Sequence, residues 1–335
     1  MTNLDALITS MPKAELHLHI EGTLEPSMLL ALAARHEVEL PYADLADVER
    51  AYDFADLQSF LDLYYLGAGV LRDADDFHAL MKAYLDGARA QNIVHAELMF
   101  DPQTHTERGI GFEVFMTGFL RAIDEARAAG GPSVKLLMCF LRHLDEDSAL
   151  ATLEAAEPWR AHIEAVGLDS GEQGNPPEKF ARVFAAAAER GYRRIAHAGE
   201  EGPPAYITGA LDVLGVERID HGVRCLEDDA LVERLAREQV PLTVCPQSNV
   251  RLRVVERMAD HPILEMRRRG LNVSVNSDDP AYFGGDLTFN FREMARTLPL
   301  DAEVLLDLAA GGFRGSFLDE ATKGHWQAEL DALRP

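Results

Sequence analysis

Apolar residues recur along this chain in two alternating patterns. Short runs rich in β-branched and other apolar residues are typical of buried strands, and the longer segments between most of them have apolar residues three and four positions apart, which predicts amphipathic helices. The eight strand-like runs are residues 14–20, 92–100, 134–141, 162–169, 193–200, 217–224, 241–246 and 271–280. Alternation of this kind is typical of parallel βαβ units. Eight units predict an α/β fold, a closed (β/α)8 barrel of the TIM type.

The longest interval between two runs follows the first strand and predicts a helical insertion. Its apolar helical stripe consists of Phe54, Leu57, Phe60, Leu61 and Tyr64. The stripe predicts either a helix packed on the barrel or a lid, because an insertion after the first strand would stand over the carboxyl ends of the strands, where barrel active sites lie. No stretch rich in Pro, Gly or Ser divides the chain, so we expect one domain over 1–335.

Charge and cysteine content limit the partners and the cell compartment. Lys and Arg number 32 against 56 Asp and Glu, a formal net charge of −24, which repels nucleic-acid polymers and anionic membrane surfaces. No signal peptide is evident, and no stretch reaches the ~20 apolar residues of a membrane span. Cys139, Cys225 and Cys245 are widely separated in apolar segments, so we expect buried, reduced thiols. These features predict a cytoplasmic protein that binds a small molecule.

A histidine pair lies in the first predicted strand. His17 and His19 are separated by one residue, so both side chains point to the same face of the strand, which in a barrel can be the interior. Two imidazoles on one face could bind a metal. Two partly buried histidines can also simply be hydrogen-bonded, so the pair alone is weak evidence.

Further imidazoles and carboxylates stand at the ends of later strands. These are His197, His221, Asp278 and Asp279. A barrel gathers these strand ends at one rim, so together with the histidine pair they predict a site for a divalent transition metal. With no cysteine at these ends, zinc with nitrogen and oxygen ligands is the natural choice, and iron and manganese stay open. Glu200, three residues after His197, adds a carboxylate placed to exchange protons with a bound group.

Three other residues compete as ligands. His95 and Glu97 alternate on the second predicted strand, and His143 follows the third. We rank them below the first set and expect structural or supporting roles for them.

Several segments carry a resemblance to a known family. PKAELHLHIEGTLEP, HAGEEGPP, RIDHGVR and SVNSDDPAYF closely resemble the adenosine deaminase family of metal-dependent amidohydrolases, and CFLRHLDEDSA, VGLDSGEQGNPPEKF and VCPQSN match in the right order. The resemblance spans the chain and implies an enzyme with one zinc ion. The implied metal ligands are His17, His19, His197 and Asp278.

The resemblance also implies roles in catalysis. Water activated by the metal would attack carbon 6 of a purine. Protonated Glu200 would donate to ring nitrogen 1, while His221 and Asp278 would orient the nucleophile and move its proton. Asp279 would accept or share a proton with ring nitrogen 7.

Two departures from the nucleoside-acting members concern the substrate. Those members resemble HxHLDG, whose aspartate holds the ribose 5′-hydroxyl, whereas this chain has Glu21, whose extra methylene would reach about 1.5 Å further into the ribose space. After the fourth strand, DSGEQG replaces a DLAGDE-like sequence and places Gly171 in the implied substrate site. Both departures resemble the adenine deaminase branch, which would convert adenine to hypoxanthine and ammonia in purine salvage.

Other functions stay open at this point. The first alternative is a deaminase of adenosine, 2′-deoxyadenosine or another 6-aminopurine. A catalytically inactive metal-binding protein is disfavoured, because every expected reacting group is present. The sequence does not decide the native metal, the oligomeric state or whether the lid moves.

Overall fold

Eight parallel strands form the centre of the computed structural model, which describes residues 3–54 and 56–334. In chain order they are β1 (Lys13–His19), β2 (Ile93–Phe100), β3 (Ser133–Leu141), β4 (Ile163–Asp169), β5 (Arg193–Ala198), β6 (Arg218–His221), β7 (Pro241–Val244) and β8 (Asn272–Val275). Each strand pairs with the next along the chain. The predicted (β/α)8 barrel is confirmed, and each predicted run overlaps one strand.

Backbone hydrogen bonds join the first strand to the segment after the last. The N–H of His19 donates to Asp278 O, and the N–H of Asp278 donates to His17 O, both at 3.1 Å. These bonds bring the ends of the sheet together, so a residue near the start of the chain lies beside one near its end.

Helices surround the sheet and fill its connections. They are α1 (Asn3–Ser10), α2 (Pro26–Arg35), α3 (Leu45–Ala51), α4 (Leu57–Ala68), α5 (Ala74–Ala90), α6 (Pro102–Thr106), α7 (Phe112–Ala128), α8 (Glu146–Ala155), α9 (Ala181–Glu189), α10 (Pro204–Gly209), α11 (Asp229–Glu238), α12 (Pro246–Arg251), α13 (Ile263–Arg268), α14 (Pro280–Phe283), α15 (Leu287–Thr297), α16 (Ala302–Gly315) and α17 (Glu320–Asp331). Short 3-10 turns span Glu21–Thr23, Glu157–His162, Pro177–Phe180, Val223–Glu227 and Met258–Asp260, and a π-helical turn, Ala210–Leu214, extends α10. None of the described helices is both long and apolar enough to cross a membrane.

The insertion after β1 consists of α2 to α5, as predicted. Helix α4 begins at a capping box, in which the Asp56 carboxylate accepts the N–H of Ser59 and the Ser59 hydroxyl accepts the N–H of Asp56. The predicted apolar stripe forms the buried face of this helix, except that Phe54 precedes the helix and packs on Phe60 and Phe283 from there. The cap and the stripe together fix α4 over the carboxyl ends of the strands.

A buried charged network lies inside the barrel, away from the strand ends. Glu97 accepts hydrogen bonds from Arg218 and, at 3.1 Å, from His95. Burial alone would raise the pKa of Glu97, but Arg218 and His95 together outweigh it and lower the pKa to about 2. His95 and Glu97 are therefore joined to each other and to Arg218, and their structural or supporting role stays a prediction. The three cysteines are buried and free, also as expected.

Candidate active site

Several residues at the carboxyl ends of the strands adopt an unusual, left-handed backbone conformation. His221 at the end of β6 has φ +64°, Asp278 after β8 has φ +65°, and Ser170 after β4 has φ +71°. A left-handed conformation in a non-glycine residue costs roughly 1–3 kcal/mol and tends to occur at functional sites. Three of the seven described non-glycine residues with a left-handed backbone therefore lie at this rim.

The ring of His17 is oriented by β7. Its Nδ1 atom lies 3.3 Å from the Thr243 carbonyl oxygen and 3.1 Å from the Thr243 hydroxyl. Because a carbonyl only accepts hydrogen bonds, Nδ1 carries the proton and Nε2 keeps its lone pair. That Nε2 atom lies 3.4 Å from Asp278 Oδ1.

His19 and His197 are oriented in the same way. Nδ1 of His19 faces Asp169 Oδ2 at 3.6 Å, and Nδ1 of His197 faces Asp220 Oδ2 at 3.7 Å. The two Nε2 atoms lie 3.2 Å apart, and His19 Nε2 lies 3.7 Å from Asp278 Oδ1. The Nε2 atoms of His17 and His19 thus lie near the same Asp278 oxygen, and the Nε2 atom of His197 lies beside that of His19.

These separations fit a metal ion. Ligands about 2.0–2.1 Å from a tetrahedral zinc ion lie roughly 3.3 Å from one another. His17 Nε2 is buried with no hydrogen-bond partner among the described residues, as expected of a ligand atom. The donor set therefore fits a divalent metal. One group whose ligand atoms all lie within 4.8 Å of one another contains His221 in place of His19, alongside His17, His197 and Asp278.

Glu200 and His221 lie next to the predicted ligands His17, His19, His197 and Asp278, which we call the ligand cluster. His221 Nε2 is 3.5 Å from Glu200 Oε2 and 3.8 Å from Asp278 Oδ2. Burial, together with the charge of Asp278, raises the pKa of Glu200 well above its usual value. Burial and the nearby His17 ring lower the pKa of His221 to about 3. The raised pKa favours the carboxylic acid form of Glu200 and the lowered pKa favours the neutral imidazole of His221, a pair that can act as proton donor and proton acceptor.

A cavity opens above these groups, with an empty volume of about 410 Å³. Its apolar walls are Leu57, Phe60 and Leu61 of α4, together with Leu252 and Phe283. The helical insertion therefore supplies apolar walls to the site, and its role as a lid stays a prediction. A flat aromatic ring with polar edges suits a cavity with apolar walls and a polar floor.

The sequence matches a known family. The family described as Adenosine deaminase matches residues 12–333. The chain belongs to the adenosine deaminase family. An adenine deaminase from Streptomyces coelicolor is 56% identical over 98% of this chain and 97% of its own. One from Hahella chejuensis is 52% identical over 97% of both.

Solved structures of similar proteins agree with this family membership. The crystal structure of an adenine deaminase from Arthrobacter aurescens has a TM-score of 0.94 and 52% identity, covering 96% of this chain and 99% of that one. An amidohydrolase from Burkhoderia ambifaria, solved with bound Zn, has a TM-score of 0.90 and 26% identity over 99% of this chain and 93% of its own. The predicted adenosine deaminase family is confirmed.

The remaining predicted residues of this family member lie at different depths. Asp279 lines the cavity, and its carboxylate occupies the space that a side chain at Gly22 would need. Gly171 lines an adjoining outer groove rather than the cavity itself. Glu21 is 1% exposed and lies behind the cavity wall, where it accepts a hydrogen bond from His105 at 2.7 Å. Contact of Glu21 and Gly171 with the substrate stays a prediction.

Sequence reasoning missed two carboxylates that line the cavity. Asp101 follows β2 and Asp169 ends β4, and both side chains face His19. The rule that identified His197 and Asp278, namely polar residues at strand ends, would also have identified these two. His143, ranked low as a ligand, lies outside the ligand cluster, and its Nδ1 atom is hydrogen-bonded to the Ser170 hydroxyl at 2.8 Å.

Sequence reasoning also missed the residue that holds the loop of Glu200. The Glu172 carboxylate accepts four backbone N–H groups, those of residues 199, 200, 201 and 202, at 2.7, 3.1, 2.9 and 2.7 Å. A carboxylate satisfied in this way fixes the loop that carries Glu200. No local pattern in the sequence indicates this contact.

Proposed function

We propose that this protein is an enzyme that hydrolyses adenine to hypoxanthine and ammonia. The observation that carries the proposal is the clustering of three imidazoles with Asp278 beneath a small cavity with apolar walls. His19 Nε2 lies 3.2 Å from His197 Nε2, and the Nε2 atoms of His17 and His19 lie 3.4 and 3.7 Å from Asp278 Oδ1. Family membership supports it, as do relatives named adenine deaminase that match nearly the whole chain.

His17, His19, His197 and Asp278 would hold the metal. We propose zinc, because nitrogen and oxygen donors at these separations suit it and a family neighbour was solved with bound Zn. When bound, such an ion lowers the pKa of water toward about 7 and so supplies hydroxide at neutral pH. Iron and manganese are the alternatives to be measured.

The chain's own residues would carry the protons of the reaction. Glu200 donates its proton to ring nitrogen 1, which keeps negative charge from building up on the purine as carbon 6 is attacked. His221, between Glu200 and Asp278, takes the proton released by the attacking water and returns it to the departing amine. Asp279 accepts or shares a proton with ring nitrogen 7. One water is consumed, and the carbon–nitrogen bond at carbon 6 breaks to release ammonia, while the second proton of the water leaves the new oxygen at carbon 6 and restores protonated Glu200.

Metal analysis and a substrate panel test this function. We expect one zinc per chain and ammonia release from adenine, with a much smaller kcat/KM for adenosine and 2′-deoxyadenosine. A larger kcat/KM for adenosine, or for another 6-aminopurine, would mean that this compound and not adenine is the preferred substrate. Metal without ammonia from any purine would mean a metal-binding protein that is not an enzyme.

We also propose that the reaction serves purine salvage in the cytoplasm. The strongly acidic composition and the small predicted substrate support this placement. Expression in a purine auxotroph that lacks adenine deamination should allow growth on adenine as the only purine, and fractionation should recover the protein with cytoplasmic markers. Recovery outside the cytoplasm would contradict it.

A further inference from the structure

Two buried carboxylates that the proposed reaction does not use form one end of the cavity. Asp101 Oδ1 lies 3.9 Å and Asp169 Oδ2 lies 3.6 Å from Nδ1 of His19. The opposite ring atom of His19, Nε2, faces the ligand cluster. The carboxylates therefore lie across the His19 ring from the cluster, away from the carbon that is attacked.

One carboxylate oxygen of Asp101 accepts a hydrogen bond, and the other has no hydrogen-bond donor among the described residues. The Tyr64 hydroxyl donates to Asp101 Oδ2 at 2.9 Å. Asp101 Oδ1 is buried, has no hydrogen-bond partner among the described residues, and belongs to a side chain that lines the cavity. A buried carboxylate oxygen without a donor is costly, so a donor on the ligand is expected there. Asp169 Oδ1 is also buried without a partner among the described residues, but Asp169 has no second donor such as Tyr64 that holds it toward the cavity, and its Oδ2 atom lies nearer to His19, so we assign Asp169 to orienting that ring.

Glu21 supports this arrangement from behind the wall. Its Oε1 atom lies 3.3 Å from the backbone N–H of Asp101, and its Oε2 atom lies 3.4 Å from the Tyr64 hydroxyl. His105 donates to Glu21 Oε1 at 2.7 Å and fixes the carboxylate. Glu21 thus contacts two of the residues that close the cavity without lining the cavity itself.

We infer that Asp101 determines substrate specificity by accepting the N–H of the five-membered ring of an unsubstituted purine, with Glu21 and Tyr64 as positioning residues. The inference rests on the proposed function and names the feature of the substrate that is selected. A purine with a sugar or methyl group at nitrogen 9 has no proton to donate from that nitrogen and adds bulk where Asp101 and Tyr64 close the cavity. A site that loses its hydrogen-bond partner in this way rejects the analogue strongly.

Adenine and 9-methyladenine are matched probes for this contact. The wild-type protein should prefer adenine by at least ~100-fold in kcat/KM, because the methylated base leaves the carboxylate unpaired. In Asp101→Ala the preference should fall below ~10-fold, mainly through a lower kcat/KM for adenine. A preference as large in Asp101→Ala as in the wild type would overturn the inference.

A matched pair of tyrosine variants tests the positioning role. Tyr64→Phe removes the donor to Asp101 and should raise KM for adenine roughly 10-fold while kcat stays within about 2-fold. Tyr84→Phe removes an equally buried bond, to Glu15 at 2.8 Å, outside the cavity, and should leave both constants unchanged. Equal effects of the two variants would mean a general loss of stability and would contradict the role of Tyr64. Should Asp101→Ala fail to fold, this pair decides the inference.

Binding measurements separate this inference from the proposed function. Calorimetric titration of the metal-loaded protein with hypoxanthine and with 9-methylhypoxanthine needs no turnover. If the wild type releases no ammonia from adenine yet prefers hypoxanthine in an Asp101-dependent manner, the proposed function fails and the inference holds. If adenine is deaminated but Asp101→Ala keeps the wild-type preference, only the inference fails.

Discussion

Glu172 accepts the backbone N–H of Glu200 at 3.1 Å, so a carboxylate from the β4 end of the barrel holds the residue that we assign as the proton donor. The same carboxylate accepts three further N–H groups of the loop after β5. Its charge also contributes, after burial and Asp278, to the raised pKa of Glu200. Glu172 therefore acts on both the position and the protonation of Glu200.

Glu172→Gln should slow turnover without emptying the metal site. The amide turns a donor toward backbone donors, a mismatch of about 1–3 kcal/mol, so we expect kcat for adenine to fall at least ~10-fold with KM changed less. Glu172→Asp, which keeps both acceptor oxygens, should recover part of kcat. Unchanged kcat in Glu172→Gln would refute the positioning role.

The pH profile of Glu172→Gln should shift in one defined direction. Activity requires protonated Glu200, so it is lost as pH rises through the pKa of this group. Removing the Glu172 charge lowers that pKa, and the alkaline limb of kcat should move to lower pH. If the alkaline limb stays in place or moves to higher pH, it reports the titration of a group other than Glu200.

Glu200→Gln separates proton donation from metal binding. The variant keeps the size of the side chain but loses the carboxylic acid, so kcat should fall about 10²- to 10⁴-fold while metal content stays at the wild-type level. Glu201→Gln, which changes the neighbouring carboxylate, should leave kcat within about 2-fold. The measurements are ammonia release and metal analysis on the same preparations. Near-normal kcat in Glu200→Gln would remove it as the proton donor.

The fold could be predicted because its signal is local. Continuous apolar runs such as β3 and the alternating helical segments follow from burial on both faces of a parallel sheet. The pairing of His17 with His19 also follows from the two-residue period of a strand. The predicted runs for β6 and β8 continued past the observed strands. β6 ends at His221, which adopts a left-handed backbone, and β8 ends at Val275, before the left-handed Asp278.

Other parts of the site could not be predicted because they depend on contacts between distant segments. Glu172 meets a loop that begins 27 residues later in the chain, and Glu21 meets His105 from 84 residues away. Neither contact leaves a periodic pattern in the sequence. The position of Glu21 behind the cavity wall depends on where Tyr64 and Asp101 pack, which only the folded insertion fixes.

Metal content decides between His19 and His221 as the fourth ligand. We expect His19→Ala to bind zinc more than ~100-fold more weakly, because it loses a ligand atom, whereas supporting residues typically cost about 10- to 100-fold. His221→Ala should retain one zinc per chain and lose turnover. His143→Ala, outside the cluster, should keep both metal and activity. Zinc loss in His221→Ala with retention in His19→Ala would exchange their roles.

Glu15 links stability to pH. It is buried, accepts hydrogen bonds from Tyr84 at 2.8 Å and from Ser277, and burial raises its pKa from 4.5 to about 7. A carboxyl group whose folded-state pKa is raised binds its proton more tightly in the folded protein than in the unfolded chain. Stability therefore falls as pH rises from about 4.5 to about 7, by roughly 3 kcal/mol in all.

Glu15→Gln removes this titration and keeps the shape of the side chain. The Tm of the variant minus that of the wild type should therefore increase between pH 5 and pH 8, reaching a few degrees, because only the wild type must ionise a buried carboxyl group. Taking the difference at each pH cancels effects that both proteins share, such as metal loss in acid. Tyr84→Phe keeps the Glu15 carboxyl and removes one of its donors, so its Tm should fall relative to the wild type as pH rises. A difference for Glu15→Gln that is constant with pH would show that this carboxyl group does not ionise over the range.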